Sequence, residues 1–182
     1  GVSSDTTTAT IDASGSEAGS TVDSSLTVTA LATAHSLTGP AYSATTATVG
    51  SGNLTIAFGT WSADPTSGGG QSHTANSQSS ITVTATATTT LTQLRDKINN
   101  AATDSDNDGD KDVLASIIYD GSNYFLMLKS ESGAANEMKV TATSNLASTV
   151  SGVSYNYNAT TSNMTQRVSG IDAAFNVDGI SM

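Results

Sequence analysis

The sequence predicts an α+β fold: mostly antiparallel β-sheet, with one amphipathic helix packed on a sheet. Three observations carry this. Apolar residues alternate with Thr, Ser and Asn in short runs, the spacing changes once to a helical period at Thr90, and strand-like runs follow one another across turn residues rather than alternating with helices.

The first strand-like runs are Thr8 to Asp12 and Ser25 to Leu31, with Gly15, Ser16 and Gly19 turning the chain between them. Gly39-Pro40 reads as a break. A strand over Asn53 to Phe58 is entered through Gly50-Ser51-Gly52, and Ser80 to Thr86 alternates strictly. Between them, Asp64 to Ser80 holds Gly68-Gly69-Gly70 and lacks a spaced apolar pattern, so it reads as a disordered polar loop. From Thr90 the period changes: Leu91, Leu94 and Ile98 fall on one stripe, followed by Ala101 and Ala102. Thr90 stands at the N-cap, with Gln93 where a capping-box partner belongs, which predicts a helix over about 91–102. Three strands follow an acidic loop: Val113 to Tyr119, Tyr124 to Ser130 and Glu137 to Thr143. A polar stretch, Ser144 to Ser162, leads to a last strand over Ala173 to Val177, a turn at Asp178-Gly179 and one further short strand.

Composition narrows the function classes. Hydrophobic residues make up 36% of 182 and aromatics 5%, so β ladders must carry much of the order. With 6 Lys and Arg against 16 Asp and Glu, the net charge is −10 and no basic patch exists. Such a chain is repelled by phosphate backbones and anionic lipid, which argues against nucleic-acid and membrane partners. No apolar run approaches the ~20 residues of a bilayer span. Cysteine is absent, which removes disulfides, thiolate metal sites and thiol nucleophiles. The start at Gly1 and the stop at Met182, just past a strand and a turn, read as cuts from a longer polypeptide.

The acidic loop Asp104-Ser105-Asp106-Asn107-Asp108-Gly109-Asp110-Lys111-Asp112 is the most pointed local feature. Carboxylates at alternate positions, with Gly at the sixth, match the opening of an EF-hand-type calcium loop, in which a tight turn converges side-chain oxygens on a hard cation. Candidate ligands are Asp104, Asp106, Asp108, Asp110 (through its backbone carbonyl) and Asp112. Ala115 stands at the twelfth position, where a bidentate Glu is expected, and the loop leads into a strand. The other reading is a solvated acidic turn. A bound calcium here would be structural, pinning the helix to the next strand.

Catalysis has no comparable signal. His35 and His73 sit in separate polar contexts with no metal-ligand spacing, and read as surface residues. No Ser lies in a nucleophile elbow, and Gly68-Gly69-Gly70 does not join a strand to a helix. Trp61, Tyr155 and Tyr157 read as strand-face aromatics, with a contact surface as the alternative.

The segment Thr90-Leu91, Leu94-Arg95-Asp96-Lys97-Ile98-Asn99, Ala115-Ser116-Ile117-Ile118, Gly121, Tyr124-Phe125-Leu126-Met127-Leu128 and Ser132-Gly133 resembles the flagellin IN motif, a capped helix ending in Ile-Asn, then strand, Gly turn and strand. Two flanking stretches, Leu26 to Leu37 and Asn163-Met164-Thr165 with Ile171 to Ile180, are similar to elements of the flagellar filament cap family, hook-associated protein 2 or FliD, in the family's order. Gly39 to Thr89 has no match, and Gly50 to Thr89 is longer and more polar than the family pattern, which suggests a decorated outer loop.

This resemblance implies a head fragment of the cap, without the helical legs. It also implies one head domain inserted in another: a base part at 1–45 plus 164–182, and an inserted β-rich part at 46–163 holding the motif at 90–133. By the same resemblance the protein sits outside the cell at the tip of the bacterial flagellum, forms a cap oligomer when full length, and promotes folding and polymerisation of flagellin subunits; it is not an enzyme and requires no cofactor. Attachment to surfaces or to host glycans such as mucin is a side role of such heads. A cysteine-free chain suits export through a narrow channel. The alternatives are the outer domain of a flagellin and a calcium-stabilised bacterial adhesin module; the latter leaves the helix unexplained.

Overall fold

The structure is a computed structural model that describes residues 25–63, 71–147, 155 and 163–181. The chain divides into two compact units, Gly1–Thr29 with Ala174–Met182, and Ala30–Ala173. In chain order, the second is inserted between the two segments of the first.

In the first unit, β1 (Leu26–Ala30), β10 (Ala174–Val177) and β11 (Ile180–Ser181) form a three-stranded sheet in the order β1-β10-β11. Asp178, at φ 51°, and Gly179, at φ 83°, make the hairpin turn between the last two strands. The Asp178 carboxylate accepts the Ser25 N–H at 2.7 Å, tying the turn to the start of β1.

The second unit has two sheets. One runs β6 (Val113–Tyr119), β7 (Tyr124–Ser132), β2 (Ala34–Tyr42), β9 (Thr165–Val168). The other is built on the long β3 (Gly52–Ala63), which pairs along one side with β8 (Glu137–Ala142) and along the other with β5 (Ile81–Ala85) and β4 (Gln71–Ala75). All these pairings are antiparallel. Leu37, Leu126 and Leu128 of the first sheet share one core with Leu54, Ile56, Phe58, Met138 and Val140 of the second. The helix α1 (Leu91–Ala101) packs on β6 and β5, and buries Leu91, Leu94 and Ile98 in that core. It therefore bridges the two sheets. Its N-terminus is closed by the predicted capping box: Thr90 accepts from the Gln93 N–H, and the Gln93 side chain accepts from the Thr90 N–H.

Several expectations need correction. Gly39-Pro40 does not break the chain but lies inside β2. Both residues face the single residue Leu126 across a register shift between Thr38 and Ala41, so the bulge accommodates a proline that cannot donate to the ladder. The polar stretch after Asp64 is not a loop throughout: residues 64–70 lie outside the described residues, but Gln71–Ala75 pairs residue by residue with β3. The described residues between Gly50 and Thr89 likewise supply three strands of the second sheet, in place of the expected decorated loop. Gly59 allows the crowding there, since a Cβ on it would fall 2.0 Å from the Thr74 carbonyl oxygen. The strand expected over Thr8 to Asp12, the turn residues Gly15, Ser16 and Gly19, and Gly68-Gly69-Gly70 all fall outside the described residues.

Candidate functional site

The helix exit, the acidic loop and the two strands after it form one hydrogen-bonded assembly. Asn99, in the last turn of α1, reaches the outer edge of β6. Its Nδ2 donates to the Ala115 carbonyl at 2.9 Å, and its Oδ1 accepts the Ala115 N–H at 2.7 Å. These are the two bonds that a neighbouring strand would make at that residue. An amide side chain can make both at once because it carries a donor and an acceptor side by side. This gives a physical reason for Asn at the end of the IN-like helix.

The acidic loop splits into an inward and an outward half. Inward, Lys111 Nζ donates to the Asn99 and Ala102 carbonyls at 2.8 and 3.0 Å, satisfying oxygens that the helix end leaves open. Asp112 is fully buried and accepts Thr103 Oγ1, Ser105 N–H, Ser105 Oγ and Gln78 Nε2. Burial works to raise its pKa, but the hydrogen bonds from Thr103, Ser105 and Gln78 outweigh it and hold the carboxyl below the usual aspartate value. Outward, Asp104, Asp106 and Asp108 are exposed, with one carboxylate oxygen of each lying within 4.8 Å of the others. The loop winds into this ring through Asn107 at φ 61° and Gly109 at φ 101°. Asp104 accepts the Asp108 and Gly109 N–H groups, and Asp108 accepts the Asp110 N–H.

Of the five predicted ligands, the structure thus gathers Asp104, Asp106 and Asp108. The Asp110 carboxylate lies outside that ring, its predicted ligand being the backbone carbonyl, and Asp112 is engaged within the protein. Sequence reasoning missed Glu131 on β7. Gln78 Nε2 bridges its carboxylate and that of Asp112, at 3.1 and 3.3 Å. Glu131 Oε1 is buried without a hydrogen-bond partner. Burial, followed by the charges of Asp106, Asp108 and Asp112, pushes the Glu131 carboxyl up to about 7. No spacing rule links Gln78 and Glu131 to a loop at 104–112, because only the fold brings these distant segments together.

The two histidines do not lie apart on the surface. His35 is fully buried on β2, and its ring lies 5.5 Å from that of Tyr155. Tyr155 stands 6.0 Å from Trp61, and Trp61 4.7 Å from His73. His73 Nε2 donates to the Glu137 carbonyl at 3.1 Å. Trp61 and Tyr155 belong to or pack on the core, so they follow the strand-face reading; Tyr157 lies outside the described residues.

This arrangement is a two-sheet β-rich module whose polar side chains close strand edges and loops. No protein-family model and no curated protein matches the chain. Solved structures do. The D2–D3 domains of the flagellar cap protein FliD from Escherichia coli align at TM-score 0.68 and 25% identity, over 91% of this chain and 76% of that one. The same domains from Serratia marcescens align at TM-score 0.63 and 27% identity, over 87% and 75%. FliD (HAP2) from Pseudomonas aeruginosa PAO1 shares the fold at TM-score 0.60 and 21% identity, over 87% of this chain and 64% of that one. The chain is therefore similar, over most of its length, to a head-domain fragment of the flagellar cap family, in agreement with the resemblance carried by its helix, hairpin and flanking segments.

Proposed function

We propose that this chain is the head part of a flagellar filament cap, a structural assembly protein rather than an enzyme, placed outside the cell at the filament tip. The observation that supports this most is the likeness to cap D2–D3 domains over 91% of the chain. The IN-like unit supports it independently, since Asn99 performs a definite task at the place the motif puts it. In this reading the full-length protein self-associates into a cap and helps incoming flagellin subunits fold and polymerise. The nested division into a base part and an inserted part belongs to the same proposal; of the segments assigned to the base, Ala34–Tyr42 and Thr165–Val168 share the sheet of the inserted unit. No described side-chain grouping carries glycan attachment.

Cells lacking the full-length protein should release unpolymerised flagellin into the medium, and supplying the protein in trans should restore filaments. Normal filaments in the deletion strain would overturn the proposal.

We also propose Asp104, Asp106 and Asp108, with the Asp110 carbonyl, as ligands of a structural calcium. Calorimetric titration of calcium into chelator-treated protein should show saturable heat that Asp106→Asn weakens. The absence of heat would mean a solvated turn.

A further inference from the structure

The cap reading leaves the most deeply buried titratable group of the two sheets without a role. His35 is fully buried, and its Nδ1 accepts the Met138 N–H at 2.8 Å. β2 lies in one sheet and β8 in the other, so this bond ties the two sheets together. Met138 has this N–H to give because it faces away from β3. Val140, two residues on, exchanges both of its bonds with Tyr155 on that side, and Met138 shares its orientation. The Met138 carbonyl accepts Trp61 Nε1 at 3.3 Å. An imidazole that accepts at Nδ1 carries its hydrogen on Nε2 and is neutral. That Nε2, also buried, has no hydrogen-bond partner.

We propose that His35 is an acid-opened clasp between the two sheets: a proton arriving on Nδ1 takes the lone pair that holds the Met138 N–H, and leaves a cation in the core. Among the described residues, the groups that bear on the ring do not favour that cation. From β7, Ser130 Oγ accepts the His35 backbone N–H. From β4 comes His73, itself basic, and from β8 Lys139, whose charge bears on His73. The Glu137 carboxylate accepts the Gly170 N–H, and Tyr155 gives its hydroxyl hydrogen to Gln166. Burial first, and then the nearby His73, push the His35 imidazole down to about 4. The sign follows: with the folded value below the ordinary 6.5, stability is complete above 6.5, falls as the pH drops toward 4, and levels off below that.

The first test compares urea midpoints of the 182-residue chain and of His35→Phe from pH 7.5 to pH 4. The wild-type midpoint should fall below pH 6.5 more steeply than that of the variant, while His73→Gln should keep most of the wild-type slope. Equal slopes in wild type and His35→Phe would overturn the clasp. Should His35→Phe fail to fold, nitrogen NMR of the wild-type ring decides. The expected result is an unprotonated Nδ1 throughout the neutral range, with loss of Met138 amide protection once the ring titrates. A ring titrating at the ordinary histidine value, or Met138 protection that survives titration, overturns the proposal.

Discussion

The edge of β6 at Ala115 and the edge of β8 at Met138 are each closed by a side chain standing where a strand would pair. At Ala115 the side chain is the Asn99 amide, which supplies donor and acceptor together and does not titrate. At Met138 it is the His35 imidazole, which supplies the acceptor only while Nδ1 is unprotonated, with Trp61 supplying the donor. An exposed strand edge invites pairing with other chains. Closing both edges removes these sites of pairing. The difference teaches that edges closed alike in geometry differ in their dependence on pH, because one closing group carries a proton-binding site.

The largest effect should come from Asn99→Leu, which leaves the Ala115 N–H and carbonyl unpaired at a residue only 3% exposed. We expect a loss of about 3 kcal/mol by urea unfolding, equal at pH 7.5 and pH 5; a pH-dependent loss would break the contrast with His35. Asp112→Ala should cost about 2 kcal/mol at neutral pH, because Thr103, Ser105 and Gln78 lose their shared acceptor just before β6. The Asp112 contribution is present above 3.8 and fades as pH falls through the lowered folded value, so an acid titration should show it vanishing below the range where His35 acts. Thr90→Ala removes the cap of the helix that carries Asn99 and should cost about 1 kcal/mol. A thermal scan of Thr90→Ala with Asn99→Leu would show whether the two losses add, as expected for groups at opposite ends of α1. The smallest effect belongs to Glu131→Gln. It relieves a carboxylate held up to about 7 by burial and by the neighbouring aspartates, and should stabilise the chain at pH 8 by about 1 kcal/mol, since solvent screens part of the repulsion. No gain at pH 8 would mean that the aspartate ring does not press on β7.

The sequence shows the helix and the hairpin after it because both have a strong period: Leu91, Leu94 and Ile98 on one stripe, and Val113 to Tyr119 and Tyr124 to Ser130 either side of Gly121. It hides β2, where Gly39-Pro40 imitates a break and small polar residues line a strand whose first six positions are buried. It hides β4, since Gln71–Ala75 contains no large apolar residue and is held by its ladder to β3 and by His73 on Trp61. The outward aspartate ring is legible from spacing. The inward engagement of Asp112 and the partnership of Gln78 with Glu131 are not, because they depend on contacts between elements far apart in sequence. His35 reads as a surface residue for the same reason: burial of a residue flanked by Ala34 and Ser36 is decided by which strands lie on either side.

The proposed role itself is tested most directly by immunogold electron microscopy of the source cells, with antibody raised against this chain. The cap account predicts gold confined to filament tips. Gold along whole filaments would make the chain an outer domain of flagellin, and gold away from filaments would favour an adhesin module; either result would contradict the account.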